Sequence, residues 1–123
     1  MLTTALLDQI KADVKDDLEA LFTNGAIGTD DTATAPSDTA LGAEVFDDVI
    51  DEFDQSPSDK VIASFRILTT EANGNTIAEC GWFDADPDTT GTMMSRNLVN
   101  SIAKTSDIQL FLDTSITIVI EED

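Results

Sequence analysis

The chain has no histidine and no tyrosine, a single cysteine, a single tryptophan, three prolines and only six basic residues. Each scarcity excludes something. Without histidine there is no Ser-His-Asp triad and no histidine-bearing zinc site, because the commonest general base and the commonest transition-metal ligand are both missing. One cysteine, Cys80, permits no intrachain disulfide and no Cys-rich metal site. It sits beside Glu79 with nothing to activate it, so it reads as a small buried hydrophobe. No glycine-rich phosphate loop occurs. No apolar run approaches the ~20 residues that span a bilayer, and the N-terminus lacks the basic region and long apolar segment of a signal peptide. The shortage of Lys and Arg excludes nucleic acid and anionic membranes as partners, since both demand cationic contacts.

What is present is acid. Asp and Glu number 25 against 6 Lys and Arg, a formal net charge of −19 on 123 residues, yet 41% of the chain is hydrophobic. That apolar content and clear strand patterns argue for one folded domain rather than disorder. An acidic folded chain suits very salty water. At molar salt the Debye length falls to ~3 Å, and surface carboxylates repel one another weakly. Because carboxylates are everywhere, no pair of them marks a catalytic dyad, and no catalytic residue, cofactor or metal ligand is expected.

Leu7, Ile10, Val14, Leu18 and Leu21 fall at helical spacing with Thr3 or Thr4 as cap, which predicts a helix over residues 4–21. It either packs on the sheet or docks on a partner. Residues 26–29 suit a short strand and residues 30–39 a loop. Leu41, Val45 and Val49 fit a short helix capped by Ser37 or Asp38, favoured through about Asp47 with a strand following to Phe53; the alternative is that Val45 to Phe53 is partly extended. Residues 54–59 form a turn. Val61, Ala63, Phe65 and Ile67 alternate with Ile62, Ser64 and Arg66, the mark of a strand with one buried face. Asn73-Gly74 offers a two-residue type I′ hairpin turn into a partner strand over residues 77–83. Residues 84–91 make a longer turn into a third strand beginning at Thr92, completing an antiparallel meander. Residues 108–120 form a long last strand: Ile108, Leu110, Leu112, Ile116, Ile118 and Ile120 share one face, and Phe111 and Val119 are the apolar members of the other. Glu121-Glu122-Asp123 solvates its end. The expected fold is α+β, mainly β: an antiparallel sheet or sandwich of six or seven strands with an N-terminal helix packed on it.

Three features of the sequence bear on possible sites. Asp84, Asp86 and Asp88 resemble the start of a calcium loop, but such a loop needs Gly at its sixth position and Glu at its twelfth. Thr89 and Ser95 stand there, so a solvated turn is preferred. Glu79, between Ala78 and Cys80, either pairs with Lys104 or Arg96 or faces outward. Trp82 and Phe83 lie on one side of the 84–91 turn, Met93 and Met94 on the other. Neighbours on a strand point to opposite faces. One of each pair therefore fills the core while the other meets a neighbouring chain, with Trp82 the leading interface residue, or a second layer makes all four core.

The order of these segments resembles small structural proteins of tailed viruses, of the tail, baseplate or tail-fibre attachment type. The resemblance rests on Asp-Thr-Ala-Leu-Gly-x-Glu at 38–44 and Glu-Ala-Asn-Gly-x-Thr-Ile-x-Glu-x-Gly-x-Phe at 71–83. It extends to Gly-Thr-Met-Met-x-Arg at 91–96, Lys104-Thr105 and the alternating tail at 108–120. Cys80-Gly81-Trp82-Phe83 departs from an expected Val-Gly-Leu-Phe. The resemblance implies a non-catalytic virion component that works by assembling with itself and with other virion proteins. With the salt adaptation, it points to a virus of halophilic archaea. A capsid decoration or turret protein is the alternative, and a small halophilic host ligand-binding protein or enzyme a third.

Overall fold

A computed structural model describes residues 1–121; the last two residues of the expected acidic end, Glu122 and Asp123, lie outside the described residues. Among the described residues, one helix precedes seven strands. Helix α1 runs Thr4–Leu21, and the strands are β1 (Asn24–Gly28), β2 (Glu44–Val49), β3 (Glu52–Asp54), β4 (Lys60–Ile67), β5 (Thr76–Phe83), β6 (Met93–Ala103) and β7 (Leu110–Thr117). They form two antiparallel sheets, β2-β1-β5-β6 and β3-β4-β7. The α+β, mainly β fold with a helix packed on the sheets is the one the periodicities predict.

The two sheets share one core. Ile27, Ile77, Cys80 and Trp82 of the first meet Ala63, Phe65, Ile67 and Leu110 of the second, with Phe22 closing one end. Phe65 and Trp82 bridge the layers edge to face, with ring centroids 6.2 Å apart at 76°, a favourable aromatic geometry. β4 buries Val61, Ala63, Phe65 and Ile67, as its alternation requires. β5 is buried on both faces from Ile77 to Phe83. Sheet β3-β4-β7 covers one face. On the other, Leu41 and Met93 gather with Ala26 and Phe83 in a second, smaller cluster.

The expected meander is only half present. β5 and β6 pair around the 84–91 turn, but β4 and β5 lie in different sheets. Asn73-Gly74 is therefore not a type I′ hairpin. Positive φ falls on Ala72 (55°) and Gly74 (88°) instead. Asn73 lends its side-chain oxygen to the buried Lys104 ammonium at 2.7 Å, and the segment pairs with the end of β6 through Gly74 N–H to Lys104 O (2.9 Å) and Lys104 N–H to Asn75 O (2.8 Å). The physical reason is burial. Both faces of β5 need cover, and moving β4 into the opposing layer supplies it for one.

The short helix expected through Asp47 is also replaced, by β2. β1, buried from Gly25 to Gly28, has backbone groups along both edges, and buried N–H and C=O groups must be paired. β5 takes one edge and β2 the other. Leu41 precedes β2 and folds over Ala26 and Phe83. The chain then changes sheet at Ile50-Asp51: Ile50 N–H donates to Thr23 O (3.0 Å) and Asp51 N–H to Ser64 O (2.9 Å).

Thr3 caps α1 by accepting from Leu6 N–H at 3.3 Å. The helix is held by its second half. Leu18 and Phe22 join the core, and buried Lys15 donates to the carbonyls of Gln55 and Pro57. Leu7, Ile10 and Val14 are half-buried but belong to neither apolar cluster.

Candidate functional site

The best-defined polar centre is built on Glu79, fully buried in β5. Its Oε1 accepts from Gly42 N–H (2.8 Å) and Arg96 Nε (2.9 Å), and its Oε2 from Asp30 N–H (3.0 Å) and Ala43 N–H (2.9 Å). Arg96 of β6 was one of the two partners expected; Lys104 binds Asn73 and Thr105 instead. Beyond Glu79, Arg96 reaches Thr32 O at 3.0 Å and Asp38 Oδ2 at 3.4 Å. Gly28 and Gly42 permit this approach: a Cβ on Gly28 would strike the Glu79 carboxylate, and one on Gly42 the Asp30 carboxylate. Burial pushes the Glu79 carboxyl up, but the three backbone donors and Arg96 outweigh it and hold it below the usual range. The group spends both oxygens on three backbone N–H groups and the Arg96 guanidinium. It straps the 29–43 loop onto the sheet and leaves nothing for a substrate.

A second acidic group was not legible in the sequence. Carboxylate oxygens of Glu44, Asp47 and Asp88 lie within 4.8 Å of one another. Partial burial, then hydrogen bonding and charge from Asp47 and Asp88, push Glu44 up to about 8, and Asp47 is raised as well. Of the three alternating aspartates in the turn, only Asp88 joins this cluster. Asp84 accepts from Thr92 N–H (2.7 Å) and Asp86 from Asp88 N–H (2.9 Å), so both serve to close the turn. Cys80 is buried beside Glu79, and burial with that charge pushes its thiol up to about 11.

Of the four residues expected at an interface, Trp82 and Phe83 lie inside this chain. Trp82 is 0% and Phe83 3% exposed; Met93 and Met94 are half-buried. Trp82 points into the shared core and Phe83 into the smaller cluster, with Met94 and Met93 packed beside them respectively. The second layer is present on both faces, so Trp82 and Phe83 offer no surface to a neighbour. The Trp82 indole N–H has no hydrogen-bond acceptor among the described residues.

Exposed apolar surface lies on other elements. After Met1, the most exposed large apolar side chains are Val119 (71%) and Phe111 (66%), at and beyond strand β7. The Arg66 guanidinium stands 6.0 Å from the Phe111 ring centroid. β7 and β6 are edge strands of their sheets. Both stretches are nearly uncharged: Asp113 is the sole ionisable residue of 108–120, and Arg96, spent on Glu79, the sole one of 89–103. No protein family, curated protein or solved structure matches the chain.

Proposed function

We propose that this chain is a non-catalytic structural component of a tailed virus particle. Its place is the tail, baseplate or fibre-attachment region, where it assembles with copies of itself and with neighbouring virion proteins in concentrated salt. The observation that carries the reading is the pairing of a −19 chain with long, open, almost uncharged strand edges. Soluble proteins ordinarily guard such edges with charge, proline or bulges, because an open edge recruits further strands. Here acid falls on other parts of the molecule, the edges β2 and β3 included, and spares β6 and β7. The polar centre on Glu79 is consumed internally, which agrees with a part that works by contact. The absence of histidine in the sequence agrees as well.

Immunogold labelling with antibody to the purified chain tests the reading on tailed particles from hypersaline cultures that encode it. Label at the tail or its tip is the expected result. Label on the head favours the decoration or turret alternative. Label absent from particles but present in host extracts overturns the virion assignment.

A further inference from the structure

We infer that β7 is a self-pairing edge: two copies join their β7 strands antiparallel about a two-fold axis at Ser115, making one six-stranded sheet. This rests on the reading of the chain as an assembly subunit and names the surface that does the assembling. Among the edges of the two sheets, β7 is the one built for it. β2 carries Glu44, Asp47 and Asp48, and β3 is three residues long with Glu52 and Asp54. The pairing of β6 with β5 shifts register twice, and such bulges twist an edge away from a newcomer. The β7 ladder with β4 is unbroken over eight pairs, from Lys60 with Thr117 to Ile67 with Leu110.

Direction follows from alternation. Ile118 N–H donates to Asp59 O on the β4 side. Hydrogen-bonding direction reverses at each residue of an antiparallel strand, so Phe111, Asp113, Ser115, Thr117 and Val119 turn their N–H and C=O groups to the open side. Their side chains are the exposed set, and the alternation of burial continues to Ile120. A second copy can therefore meet a full row of donors and acceptors.

The side chains select the register. With Ser115 on the axis, Phe111 lies opposite the partner's Val119 and Asp113 opposite the partner's Thr117. On the inner face, Leu112 meets the partner's Ile118 and Leu110 the partner's Ile120. The two most exposed apolar residues of this edge cover each other, twice per dimer. With Asp113 on the axis, two carboxylates would stand face to face, which is destabilising. With Thr114 on the axis, Phe111 would face the partner's Thr117 and Val119 the partner's Gln109. A second copy suits this edge better than a basic partner because the edge has almost no charge to attract one. Acid elsewhere on both copies makes the contact salt-dependent.

Sedimentation equilibrium of the intact chain in about 3 M KCl tests this. The wild type is expected at twice 13.2 kDa. Ser115→Pro removes an outward N–H and leaves the β4 ladder intact, so it is expected to be monomeric and to melt like the wild type diluted below its dimerisation range. Phe111→Lys should weaken dimerisation at least tenfold, whereas the swap Phe111→Val with Val119→Phe, which keeps the facing apolar pair, should retain the dimer. A wild type that stays monomeric at all concentrations overturns self-assembly itself. A dimer that survives both single substitutions leaves self-assembly standing and overturns the β7 pairing. Loss of the dimer in the swapped double variant overturns the Ser115 register.

Discussion

At the residue scale, two buried side chains make opposite predictions about conservative replacement. Trp82 fills the core with its indole N–H unpaired. Trp82→Ala should cost about 3–5 kcal/mol, as for other buried large aromatics. Trp82→Phe should cost far less than lost volume suggests, because it also removes an unpaired donor whose burial costs about 1–3 kcal/mol. Urea melts of both variants check this. Glu79 is the reverse case. Each of its oxygens accepts two hydrogen bonds, so a glutamine amide would aim its NH₂ at two donors in either orientation. Glu79→Gln should cost about 3–5 kcal/mol, as when one partner of a buried charge pair is lost.

The same scale sets the pH profile. The Glu79 carboxyl is held below its ordinary value, so its contribution is present above about pH 4.5 and lost as pH falls through the folded-state value. Glu44 is raised from 4.5 to about 8. The folded state then binds more protons than the unfolded one between those values, and stability falls as pH rises from about 4.5 to 8. Thermal melts at fixed salt should therefore peak on the acid side of neutrality, and Glu44→Gln should flatten the alkaline limb. An unchanged decline in that variant would locate the effect elsewhere.

At the scale of elements, strand and helix existence was legible, and pairing was not. α1, β4 and β7 follow from periodicity because each has one apolar face, and one face is what periodicity records. β5 has two buried faces and little periodicity. Its neighbours in sequence gave no sign that β4 would cross to the other sheet. Leu41, Val45 and Val49 are spaced as on a helix, but β1 needed an edge partner, and tertiary pairing overrode local spacing. The elements should also differ in protection from hydrogen exchange. β5, central and buried, should hold the slowest amides, and residues 7–14 of α1, outside both apolar clusters, should exchange much faster. Equal protection at both would mean that the first half of α1 is covered.

At the scale of the whole molecule, charge dominates. Three of the six basic side chains, Lys15, Arg96 and Lys104, are buried in internal contacts. Lys11, Lys60 and Arg66 are left to offset the surface carboxylates, so the exterior is more lopsided than composition implies. Self-repulsion of this kind is screened by salt. Melting temperature should climb steeply between ~0.1 M and ~3 M KCl. A flat profile over that range would remove the case for a halophilic setting.

Composition and periodicity alone determined the acid-rich character, the lack of histidine chemistry, the α+β class, and the positions of α1, β4 and β7. These are properties of residue type and local spacing, which a linear sequence carries in full. The tertiary structure decided what depends on distant segments meeting. It sent β4 and β5 to opposite sheets, recruited β2 to the edge of β1, and buried Trp82 and Phe83. It also chose Arg96 over Lys104 for Glu79 and brought Asp88 to Glu44 and Asp47. Phe111 and Val119 stood in the sequence as apolar residues on a polar face, but their exposure at an open edge exists only because β7 has β4 on one side alone. Burial and pairing are shared among residues tens of positions apart, and no local pattern encodes them.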